Sequence, residues 1–266
     1  MADSGRRAPP PRPNTRKVIF IMHILAVAAH QDDAEFMCAG TLIRLREKGH
    51  AVTILTVNNG SCGSAVHGPA DIVKIRTAEA RQAAELIGAS YMTAGINDLE
   101  SVFDNPSRRA VAECYRRIQP DIVLTHYPQD YLTDHEIASL LARDATFTAM
   151  LPNYRTGAPT PAPLLKHLPH LYYWSPLEGV DSFGVPVPLT IIIDIQAVME
   201  KKAAMLCCHA SQRDWLRQQH GMDEYTEVMK RESQRMGSLK GYAYGEAFRQ
   251  HLGHPYPKDN LLESLI

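Results

Sequence analysis

The segment Ala29-His30-Gln31-Asp32-Asp33-Ala34-Glu35 sets an imidazole beside a run of carboxylates. His30, Asp32 and Asp33 are residue types that bind a metal ion or activate its water. Asp32 and Glu35 also satisfy D-x-x-E, in which a carboxylate caps the first turn of a helix and an acid three residues on reaches back. That cap accounts for Asp32 and Glu35 but leaves His30 and Asp33 without a role. A second segment bears on the choice: Thr125-His126 is followed by Asp130, Tyr131 and the pair Asp134-His135. Two imidazoles and one carboxylate, from His30, Asp33 and His135, make the ligand set of an open catalytic zinc site with a position left for water. A structural zinc site is more often closed by four ligands that include thiolates. The same donors suit ferrous iron.

Such residues meet only if the fold brings both segments to one edge. Val18–Ala29 is almost continuously apolar, as expected of a strand covered on both faces. A helix is predicted over Ala34–Lys48, ended by Gly49, and a strand over Ala51–Asn58. The Gly-rich loop Asn58–Gly68 leads into a helix over Asp71–Ile87. A strand at Ala89–Ala94, a helix at Ser107–Ile118, a strand at Asp121–His126 and a helix from near Asp134 follow. This alternation predicts an α/β fold: a Rossmann-like, mostly parallel sheet with helices on both faces. Ligands in such sheets collect beyond the carboxyl ends of the strands, where His30 and His126 stand. Residues 151–188 form a proline-rich connection with one strand at His170–Trp174. A strand at Leu189–Ile195, helices over Gln196–His209 and Gln212–Met236, and a loop-rich end complete an elaborated C-terminal third. Residues 1–16 read as a disordered tail, and 17–266 as a single domain.

Composition narrows the function classes. With 28 Lys+Arg against 29 Asp+Glu, the formal net charge is -1, which argues against nucleic acid or an acidic membrane surface as the main partner. No stretch holds roughly 18 uninterrupted apolar residues, so no transmembrane helix is expected. The five cysteines are odd in number and contain no C-x-x-C, pointing to a reducing, cytoplasmic setting. The basic residues before Val18 also fit a signal peptide, but cleavage near Ala28 would remove the strand that presents His30. The expected partner is a small molecule, and a homo-oligomer stays open.

A-H-x-D-D-x-E after the first strand, with D-H after a later one, resembles the LmbE-like (PIG-L) zinc-dependent N-deacetylases. Arg76-x-x-Glu79 followed by Leu86-Ile87-Gly88 fits too, as does the segment from Lys201 and Lys202 to His209-x-Ser211-Gln212. The resemblance implies that His30, Asp33 and His135 bind zinc, that Asp32 is the general base for zinc-activated water, and that Arg76 grips a substrate hydroxyl. Asn59 and Ser61 in the glycine loop are candidate substrate contacts, and Asp130 and Tyr131 lie close by in sequence. Two positions depart from the family. Gln31 stands where many members have proline. Leu132 stands where several branches carry a histidine thought to assist the oxyanion or leaving group. His126, Tyr127 or a tail histidine is expected to take over that role, and Asp134 to hold a neighbouring ligand or contact substrate. The resulting expectation is a hydrolase removing an N-acyl group, most simply acetyl, from an amino sugar such as N-acetylglucosamine or a sugar conjugate. The alternatives are an amidase for another amide, such as a thiol conjugate, and a non-catalytic α/β ligand-binding module.

Overall fold

In the computed structural model, which describes residues 21–213 and 225–266, apolar alternation along the first strand separates two cores. Strand β1 (His23–Ala28) turns Ile24, Ala26 and Ala28 to one face of the sheet and Leu25 and Val27 to the other. Each set is buried in its own cluster because side chains of a strand alternate between faces. Next come helices α1 (Asp33–Met37) and α2 (Ala39–Glu47), β2 (Ala51–Asn58), α3 (Pro69–Glu85), β3 (Ser90–Ile96), α4 (Asn105–Ile118), β4 (Ile122–Thr125) and α5 (Thr133–Thr148). The C-terminal third supplies β5 (His170–Trp174), β6 (Ile191–Asp194), α6 (Met199–Cys207), α7 (Tyr225–Ser238), β7 (Gly245–Gln250) and α8 (Leu261–Ser264).

The strands form a seven-stranded sheet in the order β3-β2-β1-β4-β5-β7-β6. Strands β1 to β5 pair in parallel, and β7 runs antiparallel to both its neighbours. The expected Rossmann-like, mostly parallel sheet is therefore present. The chain leaves β1 toward β2 on one side and returns to β4 on the other, with Val27 beside Thr125 at the end of that pair. A crevice opens at such a switch point, past the carboxyl ends of the two strands.

Two expectations need correction. The helix predicted over Ala34–Lys48 is two helices, broken at Cys38 (φ -141°, ψ 5°). The break frees the first amides of α2, and the Glu246 carboxylate takes those of Gly40 and Thr41 at 2.8 and 2.7 Å. Gly40 is required here, since a Cβ would lie 2.7 Å from Ile195. The second correction is β7, which lies in the region read as loop. Of the helix predicted over Gln212–Met236, Tyr225 onward is helical; its middle, the tail 1–16 and the start of the Val18–Ala29 strand lie outside the described residues.

Glu246 also binds Lys202 Nζ at 2.6 Å, and both side chains are almost fully buried. Glu246→Ala strands a buried ammonium and uncaps α2. It is expected to destabilise the fold by about 3–5 kcal/mol, read as a lower urea midpoint. Replacing the pair together by Leu and Met should cost clearly less.

Candidate metal and catalytic site

The turn between β1 and α1 sets up the site. Asp32, at the N-cap of α1, takes φ 105° and ψ -26° and makes no side-chain cap, so the D-x-x-E cap is not formed. A left-handed backbone at a residue other than glycine costs on the order of 1–3 kcal/mol and persists only where neighbours hold it. Here Arg76 donates to the Gln31 carbonyl at 2.7 Å, and the Tyr225 hydroxyl donates to Asp32 Oδ2 at 2.7 Å. The strained turn lets adjacent carboxylates serve different partners. Glu35, the other half of the expected cap, is buried with its Oε1 3.4 Å from His209 Nε2.

Asp33 faces the two imidazoles. Its Oδ2 accepts the His30 amide at 2.7 Å and lies 3.6 Å from His30 Nδ1, while its Oδ1 lies 3.5 Å from His135 Nε2. One donor atom from each of His30, Asp33 and His135 falls within 4.8 Å of the others. Ligands held at ordinary zinc distances in a tetrahedron lie about 3.3–3.6 Å apart, so the donor types and spacings fit a divalent cation. Each imidazole is held from behind by a carboxylate: His30 Nε2 by Asp134 at 3.0 Å and His135 Nδ1 by Asp130 at 2.9 Å. Such partners fix ring orientation and leave the other nitrogen for the metal.

Charge follows the geometry. Burial opposes protonation of His30, but the Asp134 and Asp33 carboxylates outweigh it and lift its pKa to about 9. His135 is lifted to about 10 because Asp33 and Asp130 likewise overcome burial. Asp33 falls well below the usual carboxylate range: burial would raise it, yet His135 and His126 hold it ionised. Asp32 moves the other way, raised by burial and by neighbouring Asp33 against the pull of Arg76. Two adjacent carboxylates are thus pushed apart, one toward a fixed anion and one toward a proton acceptor.

The remaining expected residues divide. His126 is buried, accepts the Ala29 amide on Nε2 at 3.0 Å and stacks on His135 at 4.1 Å. It lines the cavity and lies 3.2 Å from Asp33 Oδ2, so it braces the site. Arg76, read as a substrate grip, has its guanidinium 3.6 Å from Asp32 and 3.8 Å from Asp98. Glu79, three residues on along the same helix, does not pair with it and instead accepts from Ser211. Of the two roles expected of Asp134, holding a neighbouring ligand or contacting substrate, the first matches its place: it is 2% exposed behind His30 and also accepts from Leu99 and Ser101. Asn59 holds Asn97 and the Ser61 amide, and neither Asn59 nor Asp134 lines the cavity. Asp130 does line it, with an oxygen committed to His135. Tyr127 turns away from the site.

Reading the sequence missed Asp98, which anchors the glycine loop by accepting the Gly60 and Cys62 amides at 2.7 and 3.0 Å. It also missed Tyr225, more than 190 residues from its partner Asp32. The donors open on a cavity of about 430 Å³ whose walls include Phe36, Leu132, Trp174, Leu177 and Tyr225.

Comparison with known proteins assigns the chain to a family. The family model described as GlcNAc-PI de-N-acetylase (PIG-L) matches residues 25–146. A 4-oxalmesaconate hydratase of Pseudomonas putida is 30% identical over 217 residues, covering 77% of each chain. The chain belongs to the PIG-L family. A diacetylchitobiose deacetylase of Thermococcus kodakarensis is 27% identical over 200 residues, covering 72% of this chain and 70% of the relative. Among solved structures, a 4-carboxy-2-hydroxymuconate hydratase of Pseudomonas putida superposes with a TM-score of 0.73 at 26% identity, covering 91% of this chain and all of the other. PIG-L relatives thus include deacetylases and hydratases. Among the described residues, no helix is long and apolar enough to cross a membrane.

Proposed function

We propose that this PIG-L chain is a metal-dependent N-acyl hydrolase that removes acetyl from an amino sugar or sugar conjugate. In this reading His30, Asp33 and His135 hold zinc. One observation carries the proposal: three donors converge on the cavity beside a carboxylate, Asp32, that is not one of them. When bound, zinc supplies Lewis acidity, lowering the pKa of water toward about 7 and polarising an amide carbonyl.

The chain's residues do the rest. Asp32 accepts the proton of the attacking water and returns it to the leaving nitrogen, a general base turned general acid. Its raised pKa suits both halves of that task. Arg76 and Tyr225 keep its carboxylate in place, Tyr225 from the first position of α7. The Leu132 side chain donates no hydrogen bond, and in this reading Asp32 returns the proton. The apolar walls exclude water from the acyl group.

The hydratase relative, more identical than the deacetylase, favours a second reading in which the activated water adds across a carbon–carbon double bond. The test is a panel run on the zinc-loaded protein: N-acetylglucosamine, diacetylchitobiose and aryl N-acetylglucosaminides, beside unsaturated carboxylic acids followed by ultraviolet absorbance. Release of acetate and free amine in equal amounts is the expected result. Loss of the unsaturated chromophore with no amine from any amide would overturn it in favour of hydration. Asp33→Ala is expected to abolish zinc retention through dialysis, checked by elemental analysis.

A further inference from the structure

The residue after His126 opens a different site. While the His126 ring packs on His135, Tyr127 enters a second cavity of about 370 Å³, whose lining shares no residue with the first. Arg143 from α5, Tyr173 from β5, and Arg249 and His251 from β7 and its exit meet Tyr127 there. Strand register explains the convergence, because β5 and β7 place Tyr173 directly beside Arg249. Tyr127 and Tyr173 are buried, with ring centroids 6.2 Å apart, and form a floor. Arg143 and Arg249 stand exposed at the mouth.

The polar side chains of this cavity are rich in donors. Arg249 Nη1 donates to the Tyr127 hydroxyl at 2.9 Å, which leaves that O–H free to donate onward. The Tyr173 hydroxyl pairs with His251 Nδ1 at 3.0 Å. No carboxylate lines the cavity. The nearest acid along the chain, Asp144, is taken by Arg108, which donates to both its oxygens at 2.9 and 3.0 Å. Burial and the Arg143 charge keep His251 below its ordinary pKa, as expected where positive charge is not neutralised. Two guanidiniums over tyrosine hydroxyls repel each other until an acceptor sits between them, and guanidinium geometry matches the paired oxygens of carboxylate or phosphate. The active-site cavity differs, for its buried Arg76 already faces Asp32 and Asp98.

We propose that the cavity bounded by Arg143, Arg249 and Tyr127 is a binding site for a small oxyanion, a carboxylate or a phosphate, separate from the metal-binding cavity. The experiment is calorimetric titration of the full chain in phosphate-free buffer near neutral pH, with ionic strength held constant by chloride. Inorganic phosphate and succinate are the probes, and their relative affinities identify the preferred oxyanion. Saturable binding of one anion per chain is expected. Arg143→Gln and Arg249→Gln should each weaken it about 10- to 100-fold, the scale of a lost hydrogen bond to a charged group. Arg109→Gln, an equal change of charge on the exposed face of α4, should leave affinity unchanged, as should Asp33→Ala. Equal weakening by all the arginine variants would reduce the effect to general electrostatics and overturn the proposal. So would loss of binding in Asp33→Ala, which would put the anion on the active-site cation, and so would the absence of saturable binding. Tyr127→Phe removes one hydroxyl with little change of shape, and weaker binding with an unchanged melting temperature separates recognition from misfolding.

Discussion

Replacing Asp32 by Asn is expected to lower kcat on N-acyl substrates by about 10²–10⁴-fold, the range for loss of a general base, while zinc content stays at the parent level. The substitution keeps the size of the side chain and a hydrogen-bond acceptor for Tyr225, but the amide cannot take a proton from water. Because Asp32 is not among the three converging donors, the metal should be retained. KM should change little, since binding substrate does not require the base. Elemental analysis beside steady-state kinetics makes the check. Parallel loss of zinc would make Asp32 a ligand, and parent-like turnover would remove it from the mechanism. Tyr225→Phe leaves the carboxylate intact and deletes only the 2.7 Å hydrogen bond. Its expected loss is smaller, of order tenfold, and it should appear in kcat with zinc unchanged.

The parallel half of the fold was legible because its signals are local. Ala51–Asn58 and His170–Trp174 are strands over the residues their patterns indicate, and β3 and β4 fall close to their predicted ranges. The failures share a cause in distant partners. The helix after His30 breaks at Cys38 because α2's first amides are claimed by Glu246, more than 200 residues away. Strand β7 carries that same glutamate inward, where Lys202 neutralises it. A buried acid in a six-residue stretch has no strand signature until its partner is known.

The candidate site shows the same division. His30, Asp33 and His135 were legible because each follows a strand end on one rim. Asp134 behind His30 was half legible, as a group that would hold a neighbouring ligand. The bracing of Asp32 was not, since Tyr225 reaches it through a tertiary contact and Arg76 through the Gln31 carbonyl. A helical arginine with a glutamate three residues on reads as a surface pair. Only the fold shows that Glu79 faces Ser211 and Arg76 faces inward.

Metal affinity is expected to rise steeply with pH, by roughly 100-fold per unit between about pH 7 and 9, with close to two protons released for each cation bound. The sign follows from the raised imidazole pKa values of the metal-free chain, about 9 for His30 and about 10 for His135. Near neutrality both rings are protonated. Each keeps the proton facing Asp134 or Asp130 and must give up the one facing Asp33 before that nitrogen can bind a cation. The same raised values stabilise the metal-free fold. That contribution is complete below the ordinary histidine pKa near 6.5 and is lost as pH climbs through 9 to 10. Stripping the metal should therefore cost more thermal stability in alkaline buffer than in neutral buffer, because protons stand in for the cation only at the lower pH. Calorimetric zinc titrations in buffers of different ionisation enthalpy count the protons, and melting curves of chelator-treated and loaded protein across that range check the second consequence. Affinity independent of pH, or binding with no proton release, would show that the imidazoles are not the ligands. Asp130→Asn and Asp134→Asn remove the carboxylates that hold the rings, and each is expected to weaken zinc binding about 10- to 100-fold.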